Sequence, residues 1–283
     1  MKHVLVAGAT GYLGGHITNE LKTQKYFVRA VTRNRNKLLN LHPGIDEIIE
    51  AEITKPQTLD GCCEGIDAVI TTIGITRQKD KLTYMDVDYQ GNLNLLTEAK
   101  KSGVKRFIYI FIFNTEKIKR LKIVQAKKKF TDALKTSSLN YCLINPTGFF
   151  SDMGEFLKMA SKGTVYLFGE GKYSINPIDG NDLAKVCVDA IETTEHEINI
   201  GGPQVFTHEQ IASMAFHVLN KPVKIRYIPL WLKDFILFLL RKFTHEYTYG
   251  PVEFLMTVLT MDMVAPKYGY HTLEKYFEEL SDE

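Results

Sequence analysis

Three glycines near the start of the chain have the spacing of a phosphate-binding turn. Residues 4–15 read VLVAGATGYLGG, an apolar strand that breaks at Gly8, Gly11 and Gly14 and continues into an amphipathic helix. In such a turn Gly8 permits the tight bend after the strand, and Gly11 lets the backbone approach a pyrophosphate. Gly14 then allows the helix to pack closely on the sheet. The spacing therefore predicts a dinucleotide-binding turn.

The residues around these glycines fit the same prediction. Tyr12 directly precedes the predicted helix and Leu13 begins it. The free N–H groups and positive dipole end of this helix would face the diphosphate. Thr10 supplies a hydroxyl beside them. A glycine triplet is a specific signal only between a strand and a helix, and this triplet has that context.

The end of the second predicted strand indicates which dinucleotide is bound. An NAD site carries an acidic residue about 20 residues after the glycines, where it binds the ribose 2′-hydroxyl. This chain has Thr32, Arg33, Asn34 and Arg35 there instead. Because a guanidinium offers forked, charge-assisted donors, Arg33 suits a 2′-phosphate better than a diol. The sequence therefore favours NADP(H) over NAD(H).

Composition excludes several other classes of protein. The 283 residues carry a net charge of only +2, which argues against a dedicated nucleic-acid surface. The four cysteines show no CxxC spacing, so we expect no metal site and a reducing, cytoplasmic environment. We expect no signal peptide, because the chain opens directly into a core strand.

One apolar segment leaves two interpretations open. Residues 231–240 read WLKDFILFLL, a run shorter than the roughly 20 residues that a spanning helix needs. We expect a buried helix of the second half. The less favoured alternative is an exposed apolar face that meets a membrane surface or an apolar substrate.

Strands and helices alternate over the first half of the chain, which predicts an α/β fold with a doubly wound parallel sheet of the Rossmann type. The predicted strands are His3–Ala7, Phe27–Val31, Glu47–Ala51, Ala68–Thr72, Phe107–Phe113 and Tyr141–Asn145. The predicted helices are Leu13–Lys22, Lys37–Leu41, Leu59–Cys62, Tyr84–Ser102 and Val124–Thr136.

After Pro146, frequent glycines and prolines separate shorter elements, which predicts a smaller, interwoven C-terminal substrate lobe. We expect a Rossmann domain over 1–150 and the lobe over 151–283, with 175–200 partly returning to the first domain. Helices are predicted at Asp182–Thr193 and at Thr207–Leu219. Thr207 and Gln210 would form a capping box at the start of the latter.

Several segments together resemble the atypical short-chain dehydrogenases/reductases of the NmrA-like type, over essentially the whole chain. They are GATGYLGG, Arg33 after the second strand, DVDYQGNLNLLTEAKKSG at 86–103, VKRFIYI, Ala126–Lys127 and NPTGFF. The C-terminal half is most similar to the 3,8-divinyl chlorophyllide 8-vinyl reductases. That similarity is carried by residues 145–172, INPIDGNDLA, INIGGPQVFTHEQ and KYGYHTLEKYFEEL.

The resemblance also shows where this chain departs from ordinary family members, which reduce carbonyls with a tyrosine, a lysine four residues later and a serine. Lys127 stands at the lysine position, but Ile123 stands at the tyrosine position. The serine position falls at Phe111 or Ile112. The resemblance implies that Lys127 binds the nicotinamide ribose and contributes to catalysis, whereas ordinary carbonyl reduction lacks its proton donor. The alternative for Lys127 is a solvent-facing lysine of a basic helix.

The resemblance implies further cofactor contacts at the ends of strands. They comprise a turn beside the nicotinamide, a path from adenosine to ribose and an acidic residue near adenine. The turn beside the nicotinamide comprises Pro146, Thr147 and Phe149. The path from adenosine to ribose comprises Thr71, Thr72 and Gly74. The acidic residue near adenine is Glu52.

The expected function is an NADPH-dependent reductase that delivers hydride to a conjugated C=C or similar acceptor on a small apolar molecule. Tyr89, Tyr109 and Asp179 are unranked candidates for the proton donor. A dinucleotide-binding sensor or structural subunit without turnover is the rival hypothesis, and a flavin or quinone reductase is a third. The sequence predicts no oligomeric state.

Overall fold

The computed structural model of the chain describes residues 1–75 and 81–282. Two compact units divide the chain. The first unit comprises Met1–Ile112, Lys122–Asn145 and Leu183–Ile198, and the second comprises Phe113–Leu121, Pro146–Asp182 and Asn199–Glu283. The domain bounds expected from the sequence stay a prediction.

The described residues form eleven strands and ten α-helices. The strands are β1 (His3–Ala7), β2 (Phe27–Thr32), β3 (Glu47–Glu50), β4 (Ala68–Thr71), β5 (Arg106–Ile110), β6 (Asn140–Pro146), β7 (Val165–Phe168), β8 (Ser174–Ile175), β9 (Glu197–Ile200), β10 (Phe206–Thr207) and β11 (Ile225–Ile228). The helices are α1 (Tyr12–Thr23), α2 (Arg35–Leu41), α3 (Asn92–Lys101), α4 (Lys122–Lys135), α5 (Phe150–Ser161), α6 (Gly180–Asp189), α7 (His208–Val218), α8 (Leu230–Phe243), α9 (Glu246–Val258) and α10 (Leu273–Asp282).

Seven strands form one sheet in the order β3-β2-β1-β4-β5-β6-β9. The first six are joined by parallel pairings. The order reverses between β1 and β4, and cofactors bind at the carboxyl ends of the strands beside such a switch point. The predicted Rossmann-type sheet is confirmed, with the glycine-rich turn of residues 8–14 at that position.

Several predicted elements differ from the structure at their ends: the strand predicted at Phe107–Phe113 is Arg106–Ile110, and the helix predicted at Asp182–Thr193 is Gly180–Asp189. The first unit deviates further at two places. No helix forms at Leu59–Cys62, where the chain makes turns in which the Cys62 amide donates to the Leu59 carbonyl at 2.9 Å. Gly61 and Gly65 adopt φ values of 74° and 71°, which a right-handed helix cannot include. The helix predicted from Tyr84 to Ser102 begins as a π-helical segment, Met85–Gly91, and becomes α-helical at Asn92.

A buried arginine joins distant segments of the first unit. Arg106 lies at the start of β5, and its guanidinium donates to the carbonyls of Ala190 at 3.0 Å and Glu195 at 2.6 Å. In the neighbouring strand, the Leu143 amide donates to the His196 carbonyl at 2.9 Å. Residues 183–198 therefore supply bonds that the earlier segments of this unit lack.

The core of the second unit is built from helices α5, α7 and α10. The predicted capping box at α7 is confirmed, because the Thr207 hydroxyl accepts from the Gln210 amide at 3.2 Å and the Gln210 side chain accepts from the Thr207 amide at 2.8 Å. Two small sheets, β10-β8 and β11-β7, accompany these helices.

The interpretation of residues 231–240 as a buried helix is wrong. They form most of α8, in which only Leu237 is buried. Trp231 is 68% exposed and Phe243 is 71% exposed. Besides Leu237 and Phe243, eight of the fourteen residues of α8 are Leu, Ile, Phe or Trp. These apolar side chains are too many for one side of the helix to bury them all. Among the described residues, no helix has both the length and the apolar character needed to cross a membrane.

Candidate cofactor-binding site

Two of the three N-terminal glycines are required by the fold itself. Gly8 has φ of 97°, and a Cβ atom there would lie 2.4 Å from the Thr72 hydroxyl oxygen. A Cβ atom on Gly14 would lie 2.1 Å from the Gly8 carbonyl oxygen. Side chains at these two positions would collide with the turn between β1 and α1, so the glycines allow that turn to close.

Gly11 has a different role, because the protein leaves space around it. Its φ of −88° and ψ of 169° suit any residue, and it is exposed. A Cβ atom would meet only the Gly8 carbonyl oxygen, at 3.3 Å. Gly11 precedes α1, whose N-terminus has no side-chain cap hydrogen bond and no acidic residue in its first turn. An uncapped helix start beside an open glycine fits a diphosphate.

The other residues of this turn lie around the glycines as follows. Thr10 is half-buried, and Leu13 is buried in the first turn of α1. Tyr12 is half-buried, with its ring edge-on to His16 at a centroid distance of 4.8 Å. Leu13 therefore anchors the helix start, whereas Thr10 lies in the loop that a diphosphate would contact.

Charged residues follow β2 and β3 at the same end of the sheet. Arg33 is exposed directly after β2. Glu52 follows β3, and its pKa is lowered chiefly by a hydrogen bond from Lys55, with a smaller contribution from the charge of Arg33. Arg33 and Glu52 are thus electrostatic neighbours, and a ligand that approaches them would meet charges of both signs.

The end of β4 is connected to the glycine turn. The Thr72 amide donates to the Ala7 carbonyl at 3.0 Å. Thr71 is buried, and its hydroxyl donates to the Asn92 side-chain oxygen at 2.8 Å. Thr72 therefore lies beside the predicted phosphate site, whereas the Thr71 hydroxyl is directed into the protein.

Lys127 belongs to a buried polar cluster, which we define as Asp88, Tyr109 and Lys127. Its ammonium nitrogen lies 3.2 Å from Asp88 Oδ1 and donates to the Tyr109 hydroxyl at 3.2 Å. Asp88 Oδ2 accepts the Ile75 amide at 3.1 Å. Tyr109 and Asp88 have no exposed surface, and Lys127 is 8% exposed. Lys127 is therefore not the solvent-facing lysine of a basic helix, and that alternative is wrong.

The predicted cofactor residue Gly74 packs against this cluster. A Cβ atom on Gly74 would lie 2.7 Å from Asp88 Oδ1 and 3.0 Å from the Lys127 nitrogen. Any side chain at position 74 would therefore displace the ion pair, so this glycine fixes the distance between the β4 end and the ammonium.

The cluster holds Lys127 in its charged form. Burial alone would lower the pKa of Lys127, but the neighbouring Tyr109 and Asp88 outweigh burial and raise it. Burial raises the pKa of Asp88, and the Lys127 charge opposes that change. Burial also raises the pKa of Tyr109 to about 12, so its hydroxyl stays neutral. An ammonium that is held in place by such partners can bind hydroxyl groups and provide a positive field.

The positions expected for a tyrosine and a serine are filled by hydrophobic side chains. Ile123 is buried, and Phe111 and Ile112 are half-buried. Tyr109 packs edge-on to Phe130 at 4.6 Å within the core, which argues against Tyr109 as a proton donor to a substrate. The chain therefore has no hydroxyl at either position.

The remaining proton-donor candidates have other neighbours. The ammonium of Lys129 lies 4.3 Å from the centroid of the half-buried Tyr89 ring. Asp179, in the second unit, accepts the Asn181 amide at 2.8 Å and lies 3.5 Å from His271 Nδ1. Neither contact indicates whether Tyr89 or Asp179 is the better candidate for the proton donor.

The nicotinamide turn that the resemblance implies lies in the second unit. The Pro146 carbonyl accepts the Phe113 amide at 3.3 Å. Thr147 is buried, and its hydroxyl donates to the Asn176 carbonyl at 2.6 Å. Phe149 is half-buried and precedes α5 as its N-cap. The other predicted site residues all lie in the first unit, and these three lie in the second.

The comparisons with known proteins decide the family. The sequence profile described as NAD(P)H-binding matches residues 8–194. The chain belongs to this family. The match includes the glycine turn, Arg33 and Lys127, and the predicted nicotinamide dinucleotide cofactor is confirmed.

Two relatives of this NAD(P)H-binding chain are similar to it at nearly the same level. The photosystem II assembly factor Ycf39 of Guillardia theta is 29% identical over 241 residues, which cover 83% of this chain and 76% of that protein. The chloroplastic divinyl chlorophyllide a 8-vinyl-reductase of Arabidopsis thaliana is 27% identical over 260 residues, which cover 83% and 62%.

A solved structure extends the likeness over the full length. AtPrR2 with NADP+ and (+)pinoresinol superposes with a TM-score of 0.76 over 98% of each chain, at 16% identity. At that identity the likeness shows the fold alone. Together, the family match and the reductase relative confirm the predicted resemblance to NAD(P)H-binding proteins of the atypical short-chain dehydrogenase/reductase type.

Sequence reasoning missed two residues that support the candidate site of this NAD(P)H-binding chain. Asp88 holds Lys127, and the buried Asn92 side chain donates to the Asp88 carbonyl at 3.1 Å and accepts from Thr71. A signal was available, because Asp88 and Asn92 have helical spacing with the buried Leu95, Leu96 and Ala99. Two polar residues on an apolar helix face indicate buried partners.

Proposed function

We propose that the chain is an NADPH-dependent reductase that transfers hydride to a conjugated C=C bond of an apolar small molecule. One observation carries the proposal. The buried cluster preserves a charged lysine at the position where family members bind the nicotinamide ribose, while hydrophobic Ile123 replaces the tyrosine that protonates a carbonyl oxygen. The chain therefore keeps the means to orient a cofactor and lacks the means to polarise a carbonyl.

A conjugated double bond needs less from the protein than a carbonyl does. When bound, the reduced nicotinamide supplies hydride. The negative charge left on the acceptor is delocalised over its own conjugated system, and a proton from water completes the reduced C–C bond. The protein then has to hold the two reactants in register, which can contribute a large part of the rate enhancement.

Each part of the candidate site has a role in this proposal. The uncapped start of α1 and the open backbone at Gly11 would hold the diphosphate. Arg33 would bind the 2′-phosphate and thereby favour NADPH over NADH. The Lys127 ammonium would donate to the ribose hydroxyls, and Asp88 and Tyr109 would act as positioning residues that keep it in place.

The experiment mixes the purified protein with NADPH and a divinyl tetrapyrrole, the acceptor class that the name of the Arabidopsis relative indicates. We expect loss of NADPH absorbance together with a spectral change of the acceptor in equal amounts. Simple aldehydes and ketones provide the matched control and should not oxidise NADPH. Turnover of carbonyls without turnover of conjugated acceptors would contradict the proposal.

The similarity to Ycf39 of Guillardia theta favours a second candidate, a dinucleotide-binding assembly factor without turnover. The absence of a hydroxyl at residues 111, 112 and 123 suits this candidate as well. Consumption of NADPH, followed by its absorbance, separates the two candidates. An assembly factor would bind NADPH, leave it unconsumed with every acceptor, and change its affinity for a protein partner.

A further inference from the structure

Helix α8 presents a row of aromatic side chains to solvent. Trp231, Phe235 and Phe238 follow one another at helical spacing, and they are 68%, 52% and 56% exposed. Lys242 continues the same row one turn later, and exposed Phe243 lies beside it. We define this row, Trp231, Phe235, Phe238, Lys242 and Phe243, as the α8 face.

The opposite side of α8 is anchored within the second unit. Leu237 is buried, and Arg241 forms a close ion pair with Glu253 of α9. The ammonium of Lys233 lies 3.2 Å from Asp234 and contacts the Thr260 hydroxyl at 3.4 Å. The orientation of the helix is therefore fixed by its neighbours, so the aromatic row faces outward as part of a defined structure.

The segment that contains α8 has a net charge opposite in sign to that of the remaining chain. Residues 221–243 contain six lysines and arginines and one aspartate, which gives a net charge of +5. The whole chain has a net charge of +2, so all other residues together carry −3. Arg241 and Lys233 are neutralised by their acidic neighbours, which leaves four basic side chains without an ion pair among the described residues. They are Lys221, Lys224, Arg226 and Lys242.

We propose that the α8 face binds the surface of an anionic lipid bilayer, with its aromatic side chains among the acyl chains and Lys242 at the phosphate groups. Helices that lie in a membrane interface typically combine a face of Trp, Phe or Leu with lysines and arginines at its polar border. The fourteen residues of α8 extend about 21 Å, too short to cross the hydrocarbon core of about 30 Å. Lys242 can extend its ammonium from the aromatic row to the headgroups.

The chain contains its own reporter for this proposal, because Trp231 is its only tryptophan. Vesicles of equal parts phosphatidylcholine and phosphatidylglycerol should shift the Trp231 emission to shorter wavelength. Lipids with brominated acyl chains should quench that emission, since quenching requires contact with the hydrocarbon. Pure phosphatidylcholine vesicles and high salt should both weaken the binding.

Variants of the α8 face test which residues carry the binding. The double substitution Phe235→Ser with Phe238→Ser should lower vesicle partitioning at least tenfold, and circular dichroism should show an intact fold because both side chains are exposed. Lys242→Ala should lower partitioning about fivefold, the contribution of one basic residue at an anionic surface. Leu41→Ser and Lys100→Ala, at exposed positions outside α8, are the matched controls and should bind as the unmodified chain does.

Three results would overturn the proposal. The first is an emission unchanged by anionic vesicles, and the second is equal binding by the α8 variants and the controls. The third is a blue shift that grows with protein concentration in the absence of lipid, accompanied by a larger sedimentation coefficient. That result would show that a second copy of the chain covers the α8 face.

Discussion

Removing the carboxylate of Asp88 should weaken the first unit strongly, because it leaves a buried ammonium without its counter-charge. In Asp88→Asn, Lys127 would retain the Tyr109 hydroxyl at 3.2 Å while remaining 8% exposed. Breaking a buried ion pair by removal of one partner costs about 3–5 kcal/mol. An asparagine oxygen can still accept a hydrogen bond, so we expect a loss near the lower limit, about 3 kcal/mol.

The companion variant separates the charge effect from a packing effect. Adding Lys127→Met to Asp88→Asn removes both charges, and it should recover most of the lost free energy of unfolding. Urea titrations of the four proteins at neutral pH, followed by circular dichroism, complete a double-mutant cycle. Exposed ion pairs contribute less than about 1 kcal/mol to the free energy of unfolding. A loss this small in Asp88→Asn would contradict the inference that Asp88 and Lys127 form a buried ion pair.

The pH dependence provides an independent check of the same reasoning. In the unmodified chain the pKa of Lys127 is raised, so its contribution to stability is complete below the ordinary lysine pKa and is lost above it. Without Asp88, burial should instead lower the pKa of Lys127. The unfolded variant then binds the proton more tightly than the folded one, so its stability should rise as pH rises. The stability gap between the two proteins should therefore narrow between neutral pH and about pH 10.

Four further predictions follow from single residues of the two units. Arg33→Asp should weaken NADPH binding by about 1–3 kcal/mol and leave NADH binding level or improved, and equal losses in calorimetry would show that Arg33 does not bind the 2′-phosphate. Gly11→Ala should reduce NADPH affinity in a folded protein, whereas Gly14→Ala should destabilise the fold because its Cβ would lie 2.1 Å from a carbonyl oxygen; thermal melts and titrations of both variants decide this. Lys127→Ala should raise the NADPH dissociation constant and slow hydride transfer in single turnover, and unchanged values would remove Lys127 from the site. Burial lowers the pKa of His208 to about 4, so stability should be complete above about pH 6.5 and fall toward pH 4, and His208→Leu should flatten that fall in urea titrations.

The sequence predicted best the elements that local chemistry defines. β1 was predicted at its observed residues, and the capping box at Thr207 was predicted with both of its partners. Both depend on residues close together in the chain, where strand pattern and capping rules apply directly. The turn around Gly61 was predicted as part of a helix because periodicity gave no sign of its left-handed backbone.

The parts that escaped prediction depend on distant partners. Asp88 and Lys127 are 39 positions apart, and nothing local indicates that they form a pair. The solvent exposure of α8 was not predicted either, because the sequence of an apolar helix does not indicate whether a neighbouring element covers it. Secondary structure thus followed from local pattern, while the site's electrostatics and the exposed face required the folded chain.

Residues 183–198, which complete the first unit, affect how the chain folds during its synthesis. Arg106 is buried, and its carbonyl partners Ala190 and Glu195 are translated more than 80 residues after it. At about 5–20 residues per second, the ribosome needs roughly 3–10 s to proceed from residue 145 to residue 198. During that interval the nascent sheet has an unsatisfied guanidinium and an unpaired edge at β6. Fragments that end between residue 145 and residue 198 should therefore be insoluble or retained by chaperones, although they contain the entire glycine turn and Lys127.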